Sequence, residues 1–421
     1  MIDYLMLQWI IIGLIVISFL VSTLLDELNR KHFPVEVPDA IKDVYSAERL
    51  NEARSYYQAV LRASRMEEGI GLILTLGLLL NGAFGWLDHL IHQRVNAQTV
   101  QSLLFFAIVI LAAGLFQLPF AWYHTFRIEE RFGFNRTTPR IFFLDRFKSL
   151  LLTILIGGPL LYLVINIYLA FGKNFWLLVW AVITLFSLFM ALFYSNLIVP
   201  FFNRQTSLPE GELKQAIHDL SQKLHFNLKD IYVIDGSKRS TKANAYFTGF
   251  GPKKRIVLYD TLVNEYSQEE ILAVLAHEIG HYRHKHTAKG LITGIIQTGL
   301  MLFLLSLFIS PDSSWALPLC KAVGGPYVNS PSFHLGILGF GILYEPVSIL
   351  LSLFFNSISR KYEYQADAFA ARNGLGVSLI SALKKLSSTH LSNPDPHPVY
   401  AALHYSHPTI LERIKAIQKF S

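Results

Sequence analysis

The sequence predicts an all-α, multi-pass membrane protein of seven spans, with a small α+β unit late in the chain. Three observations predict it. The 421 residues are 52% hydrophobic and only 16% charged, with mean hydropathy +0.37; soluble domains carry about a quarter charged residues. Seven apolar stretches lie near 5–25, 69–87, 102–123, 149–171, 175–200, 290–311 and 334–357. Each is close to the roughly 20 residues that cross a bilayer. The cations also sort between alternate loops. Arg30, Lys31, Lys42, Arg49, Arg54, Arg62 and Arg65 separate spans one and two, and Arg127, Arg131, Arg136, Arg140, Arg146 and Lys148 separate spans three and four. Arg94, Lys173 and Lys321 stand alone in the other loops. The positive-inside rule then sets the N-terminus outside, and the segment after span five and the C-terminus in the cytoplasm.

Met1 to Gln8 carries no Lys or Arg and no small-residue cleavage site follows. The first stretch therefore reads as an uncleaved span rather than a signal peptide. Ala47 to Glu68 reads as an amphipathic helix running into span two, with Pro34 and Pro38 breaking the chain before it. Residues 124–148, including Glu129 to Arg136, form a charged, aromatic segment suited to anchoring spans three and four at the interface. After span five, Pro209 to Leu224 reads as an amphipathic helix capped near Ser207. Short strands follow at Ile231–Ile234, Asn244–Gly251 and Arg255–Tyr259, the last two joined by Gly251-Pro252-Lys253-Lys254. Glu345 lies inside span seven, where an acid must face protein or water, and Asn81 and Asn166 raise the same expectation. The single cysteine, Cys320, forms no intrachain disulfide. The net charge of +7 follows the membrane loops, which argues against nucleic acid as a partner.

Gln268 to His286 reads as a helix started by a capping box of Ser267 and Glu270. Within it lies His277-Glu278-Ile279-Gly280-His281. Residues four apart project from one helix face about a turn apart. That suits two nitrogen ligands of a tetrahedral zinc. Glu278 leaves the helix beside them, where it can take a proton from an attacking water. His284 and His286 fall off that face and read as interfacial residues.

Catalytic zinc keeps one position for water and so needs a third protein ligand. After span seven, Ser359 to Ala371 reads as helix without Gly or Pro. Glu363 and Asp367 are four apart on one face. Glu363 can ligate, and Asp367 can accept the second ring N–H of a ligand histidine. A solvated or lysine-paired Glu363 fits the spacing equally well. Ala366 and Ala370 are small enough to let another helix approach. An edge strand at Asn244 and Ala245 can pair with an extended peptide, or be plain sheet core. The chain divides into 1–202 (five spans), 203–289 (the small unit that carries the His277–His281 helix), 290–357 (two spans) and 358–421 (C-terminal helices).

Taken together, these pieces resemble the type I CAAX prenyl proteases, integral-membrane zinc metalloendopeptidases of the gluzincin group. The resemblance rests on His277-Glu278-Ile279-Gly280-His281 and Glu363-Tyr364-Gln365-Ala366-Asp367. Asn244-Ala245-Tyr246-Phe247, Glu130 to Asn135 and Tyr405 to Arg413 match too, so it covers nearly the whole chain. It implies that His277, His281 and Glu363 bind one zinc per chain and that Glu278 activates water. It implies that Asn244 and Ala245 hold the substrate backbone and that His407 hydrogen-bonds the oxyanion. From the residues alone, His390, His397 and His404 compete with His407. Arg413 is grouped with the substrate-binding residues, supporting a carboxylate near the site, or it pairs with Glu412. The resemblance further implies seven helices around a water-filled chamber, which Glu345 would fit. The chain is somewhat shorter than eukaryotic members and ends Gln418-Lys419-Phe420-Ser421, without a retrieval signal. The expectation is therefore a bacterial inner-membrane member.

The expected activity is endoproteolysis of a polypeptide, prenylated or otherwise membrane-associated, including removal of a C-terminal tripeptide. A membrane quality-control protease of the HtpX kind is the alternative within the same chemistry, although those chains have fewer spans. A transporter or channel with a structural metal is the alternative of another class. A structural zinc is usually closed by four protein ligands with no spare acid, so Glu278 favours catalysis.

Overall fold

A computed structural model describes residues 3–226, 228, 230–248 and 255–420. The turn expected at Gly251 to Lys254 lies outside the described residues. Helix α1 spans Tyr4–His32 and is capped by Asp3, which accepts the Leu5 N–H at 2.9 Å. Helix α2, Ala47–Leu80, joins the amphipathic segment to the first part of the second apolar stretch and is capped by Ser46. It ends at Asn81, and Gly82 (φ +63°) turns the chain by 57° into α3, Ala83–His92, where the rest of that stretch lies. That φ is accessible to glycine at little cost. Helix α4, Gln98–Tyr123, continues through a π-turn into the 124–129 segment. Helix α5, Pro139–Leu152, begins at an N-cap threonine, Thr138, with proline in its first turn. It runs through a second π-turn into α6, Gly158–Phe171; Gly172 (φ +50°) precedes α7, Phe175–Leu197, and the short α8, Val199–Phe202.

Then the character changes from apolar rods to a small mixed unit. It contains β1 (Gln205–Ser207), α9 (Glu212–Lys223), β2 (Asp230–Ile234), β3 (Ala245–Thr248) and β4 (Arg255–Tyr259), followed by α10 (Asp260–Glu265) and α11 (Gln268–Arg283). Ser207 ends β1 rather than capping α9, whose N-cap is Gly211. The sheet order is β1-β2-β4-β3, with β2 and β4 parallel and the outer pairs antiparallel. Strand β3 is therefore an edge. The remaining helices are α12 (His286–Ile309), α13 (Ala316–Gly324), α14 (Phe333–Ala370), α15 (Gly376–Thr389), α16 (Pro398–His404) and α17 (Ile410–Ile417).

Among the described residues, five helical stretches are long and apolar enough to cross a membrane, or six if the bent α2–α3 pair is one span. Their outer faces carry exposed Trp9, Ile17, Ile73, Leu115 and Leu185, as lipid-facing surface requires. Helix α14 has 38 residues, about 57 Å of rod at 1.5 Å per residue. The last apolar stretch and the helix bearing Glu363 are thus one element, and the expected boundary at 357/358 falls inside it. Ile217, Ile256, Leu258, Ile271, Leu275, Ile279 and Ala370 form the core of the mixed unit beneath α11. The 124–148 segment does more than anchor spans. Asn135 bridges Ser240, Arg136 N–H donates to the Arg239 carbonyl at 3.0 Å, and Lys242 Nζ sits 3.2 Å from Glu129 Oε2. It braces the chain just before β3. Glu345, inside the membrane-length part of α14, accepts a hydrogen bond from Ser18 of α1.

Candidate metal centre

Helix α11 starts where its sequence says it should. Ser267 Oγ accepts from Glu270 N–H at 3.2 Å, and Glu270 Oε2 accepts from Ser267 N–H at 2.9 Å. Its other end is set by packing on α14. A Cβ on Gly280 would lie 3.0 Å from Ala366 Cα and 3.1 Å from Phe369 Cβ. Glycine facing alanine lets the two backbones approach, and Ala366 and Ala370 are fully buried there. That approach carries Glu363 onto the face shared by His277 and His281.

The three candidate ligand atoms lie within 4.8 Å of one another. His277 Nε2 and His281 Nε2 are 3.1 Å apart; His281 Nε2 is 3.2 Å from Glu363 Oε1, and His277 Nε2 is 3.5 Å from Glu363 Oε2. A tetrahedron with arms near 2.1 Å has edges of about 3.4 Å. Glu363 Oε2 is buried with no hydrogen-bond partner. A buried carboxylate oxygen without a donor is costly, and a cation between it and the two ring nitrogens would satisfy it. The donor set of two imidazoles and one carboxylate is a zinc set. The residues fit a divalent metal.

Each histidine is held from behind. His277 Nδ1 is 2.8 Å from Asp367 Oδ1, and Arg413 clamps Asp367 with bonds of 2.6 and 2.9 Å. Arg413, expected among the substrate-binding residues, therefore sits behind the ligands; its side chain is 11% exposed. It does not pair with Glu412, whose carboxylate instead caps α17 through the Thr409 N–H at 2.9 Å. His281 Nδ1 is 3.0 Å from His286 Nδ1, whose Nε2 is 2.8 Å from Gln365 Oε1. His286 is thus buried in the centre and not interfacial, as its spacing from the ligands suggested. The signal lay in the turn: Lys285 adopts φ +57° and folds the start of α12 back onto α11.

Glu278, His281 and Glu363 open onto a cavity of about 1050 Å³ bounded by Ala191 of α7, Tyr246 of β3, Phe355 of α14 and His407. Burial pushes the Glu278 carboxyl above the usual range, opposed by His277 and His281. A raised carboxyl pKa suits a group that must take and return a proton. His407 Nε2 lies 3.3 Å from Glu363 Oε1, with its side chain 62% exposed. The three competing histidines are engaged elsewhere: His390 accepts the Ala243 N–H, His397 packs edge-on against His32, and His404 lies on Tyr400. Asn244 and Ala245 enter edge strand β3. The Asn244 carbonyl accepts from Tyr259 N–H in β4, while its Oδ1 holds the Ala245 N–H at 2.8 Å.

Residues 28–204 match the family described as CAAX prenyl protease N-terminal, five membrane helices, and residues 207–421 match Peptidase family M48. CAAX prenyl protease 1 of Saccharomyces cerevisiae is 34% identical over 404 residues, covering 92% of this chain and 89% of the relative. The CAAX prenyl protease 1 homolog of Arabidopsis thaliana is 33% identical over 417 residues, covering 97% and 96%. The crystal structure of S. mikatae Ste24p superposes with a TM-score of 0.90 at 33% identity over 98% of both chains. These relatives are eukaryotic and lend no support to the bacterial expectation.

Proposed function

The chain belongs to peptidase family M48, within its CAAX prenyl protease group, and on that premise we propose how this membrane zinc metallopeptidase works. His277, His281 and Glu363 would hold the metal, with Asp367 and Arg413 fixing His277. A zinc ion bound there would supply Lewis acidity to a water and to the scissile carbonyl. Glu278 takes the proton from that water and returns it to the leaving amine. His407, on the open side of Glu363, donates to the oxyanion, a contact worth a few kcal/mol in comparable sites. The substrate lies as an extra strand along β3, where the Ala245 N–H exchanges Asn244 Oδ1 for a peptide carbonyl. The observation that carries this reading is the buried Glu363 carboxylate, with Oε1 3.2 Å from His281 Nε2 and Oε2, which has no hydrogen-bond donor, 3.5 Å from His277 Nε2.

We also infer seven crossings. As one rod, the 64-residue stretch Pro139–Phe202 would be about 96 Å long, roughly three bilayer cores. Gly172 breaks it and α6 packs against α7, which supports a hairpin of two crossings. The loop charges support a cytoplasmic metal centre.

The substrate we infer is a prenylated peptide with a CAAX C-terminus, cut to release its last three residues. Product mass spectrometry on such a peptide and its unprenylated twin tests this. Glu278→Gln should retain zinc and lose cleavage by at least about 10³-fold, with general-base and electrostatic contributions both removed. Cleavage by that variant at the wild-type rate would overturn the mechanism. Equal cleavage of the two peptides would overturn the substrate class.

A further inference from the structure

We propose that His286 is a positioning residue that selects the metal-binding tautomer of His281 through a neutral relay ending at Gln365. The inference rests on the metal-centre reading above. His281 Nε2 faces the other two ligand atoms, so a metal-bound His281 carries its proton on Nδ1. That proton needs an acceptor, and the atom in reach is His286 Nδ1, at 3.0 Å. A ring nitrogen accepts only when it is unprotonated, so His286 must be neutral with its proton on Nε2. The Nε2–H in turn points at Gln365 Oε1, 2.8 Å away. Each donor then meets an acceptor, from the Gln365 carbonyl back to the His281 lone pair. Reversing Gln365, so that its amide donates, reverses every bond. The proton then lands on His281 Nε2, the nitrogen the metal needs.

The arrangement is built rather than incidental. His286 is 5% exposed and stacks on Tyr362 at 4.1 Å with 10° between the rings. Tyr362 and Gln365 flank Glu363 on α14, and the left-handed Lys285 turn delivers His286 from α12. One imidazole thereby ties α11, α12 and α14 together at the ligand itself. The two ligand histidines are held by different chemistry. His277 has the charged Asp367–Arg413 pair, and His281 has a neutral amide. A neutral arm avoids placing another carboxylate beside Glu278 and Glu363, which already share this pocket.

The test measures zinc affinity of the metal-free full-length protein in detergent, by competition with a chromogenic chelator, alongside its thermal midpoint. Wild type should bind one zinc and Glu363→Ala should not; failure there would sink the metal-centre reading itself. Given that, His286→Phe keeps the ring stack but removes the acceptor and should weaken zinc 10–100-fold, the range for partners that orient ligands. His286→Asn places an acceptor oxygen near the Nδ1 position and should restore affinity to within about threefold. Gln365→Leu, at a partly exposed site, should weaken zinc about tenfold without lowering the midpoint, and Gln365→Glu should not weaken it. Wild-type affinity in both His286→Phe and Gln365→Leu would overturn the proposal. So would equal losses in His286→Phe and His286→Asn.

Discussion

The two ends of α14 each join a histidine to an aspartate, and only one end makes a reactive site. At the C-terminal end, Asp367 holds His277 Nδ1 at 2.8 Å. At the N-terminal end, His334 of α14 meets Asp88 of α3 at 2.7 Å, and Ser102 Oγ of α4 lies 3.1 Å from the other ring nitrogen. Ser102, His334 and Asp88 reproduce the connectivity of a hydrolytic triad. Yet all three are buried, and the Phe105 ring lies 4.3 Å from the imidazole. Nearby, a Cβ on Gly85 would lie 1.9 Å from the Gly324 carbonyl oxygen, so backbone meets backbone. No substrate can enter. The difference is what the second ring nitrogen faces. His334 has both nitrogens engaged by partners sealed in the core, while His277 Nε2 faces His281 and Glu363, which open onto the cavity. Space and a spare lone pair make a site; the pair alone makes a rivet.

The sharpest way to break that contrast is to disable each end in turn. Glu363→Ala should lower zinc affinity by more than the roughly 100-fold ceiling of partners that only orient ligands, and abolish peptide cleavage, while leaving the fold intact. His334→Phe should do the reverse. Zinc content should stay at one per chain while unfolding stability drops by about 1–3 kcal/mol, because Asp88 loses its buried hydrogen-bond partner and keeps only His92 Nδ1, at 3.0 Å. Thermal unfolding in detergent and metal analysis of both purified variants check this. A His334 variant that loses zinc before it loses fold would mean the two ends are coupled along α14 rather than independent.

A smaller perturbation probes how closely α11 and α14 must approach. In Gly280→Ala the new methyl meets Ala366 and Phe369 at 3.0–3.1 Å. Overpacking of this kind costs about 1–3 kcal/mol, and any relief moves Glu363 away from the histidines. Weakened zinc binding together with a lower midpoint is expected. A lower midpoint with unchanged zinc affinity would show that the helices part without disturbing the ligands.

How much of this was legible follows from range. The α11 capping box, the His277/His281 spacing and the Glu363/Asp367 spacing are contained within single helices, where a 3.6-residue repeat fixes which side chains share a face. They read correctly. Strand β1 did not, because Gln205-Thr206-Ser207 has no apolar alternation and exists only by pairing with β2. His286 was misread because a left-handed residue, Lys285, reset the helical phase between it and His281. Arg413 does support a carboxylate near the site, as one of its two readings had it, but which carboxylate was not legible because Asp367 is 46 positions away. The bracing role of 124–148 was likewise invisible, since Asn135 and Ser240 meet only in three dimensions.

A third histidine, His390, sharpens the comparison, being neither ligand nor rivet. Its Nε2 accepts the Ala243 N–H at 3.2 Å, two residues before the edge strand. Burial, with Lys242 as a second cause, depresses its pKa from 6.5 to about 4. A depressed folded-state value means the fold prefers the neutral ring. Its contribution is whole above pH 6.5 and is lost as the pH falls toward 4. Between pH 7 and 5.5 that loss amounts to about 1 kcal/mol. His390→Gln offers an acceptor oxygen that does not titrate in this range. Its thermal midpoint should fall less than that of wild type between those two pH values, with the Ala243 anchor and peptide affinity preserved at pH 5.5. Parallel midpoint slopes for the two proteins would remove His390 from the acid response and leave the β3 anchor dependent on packing alone.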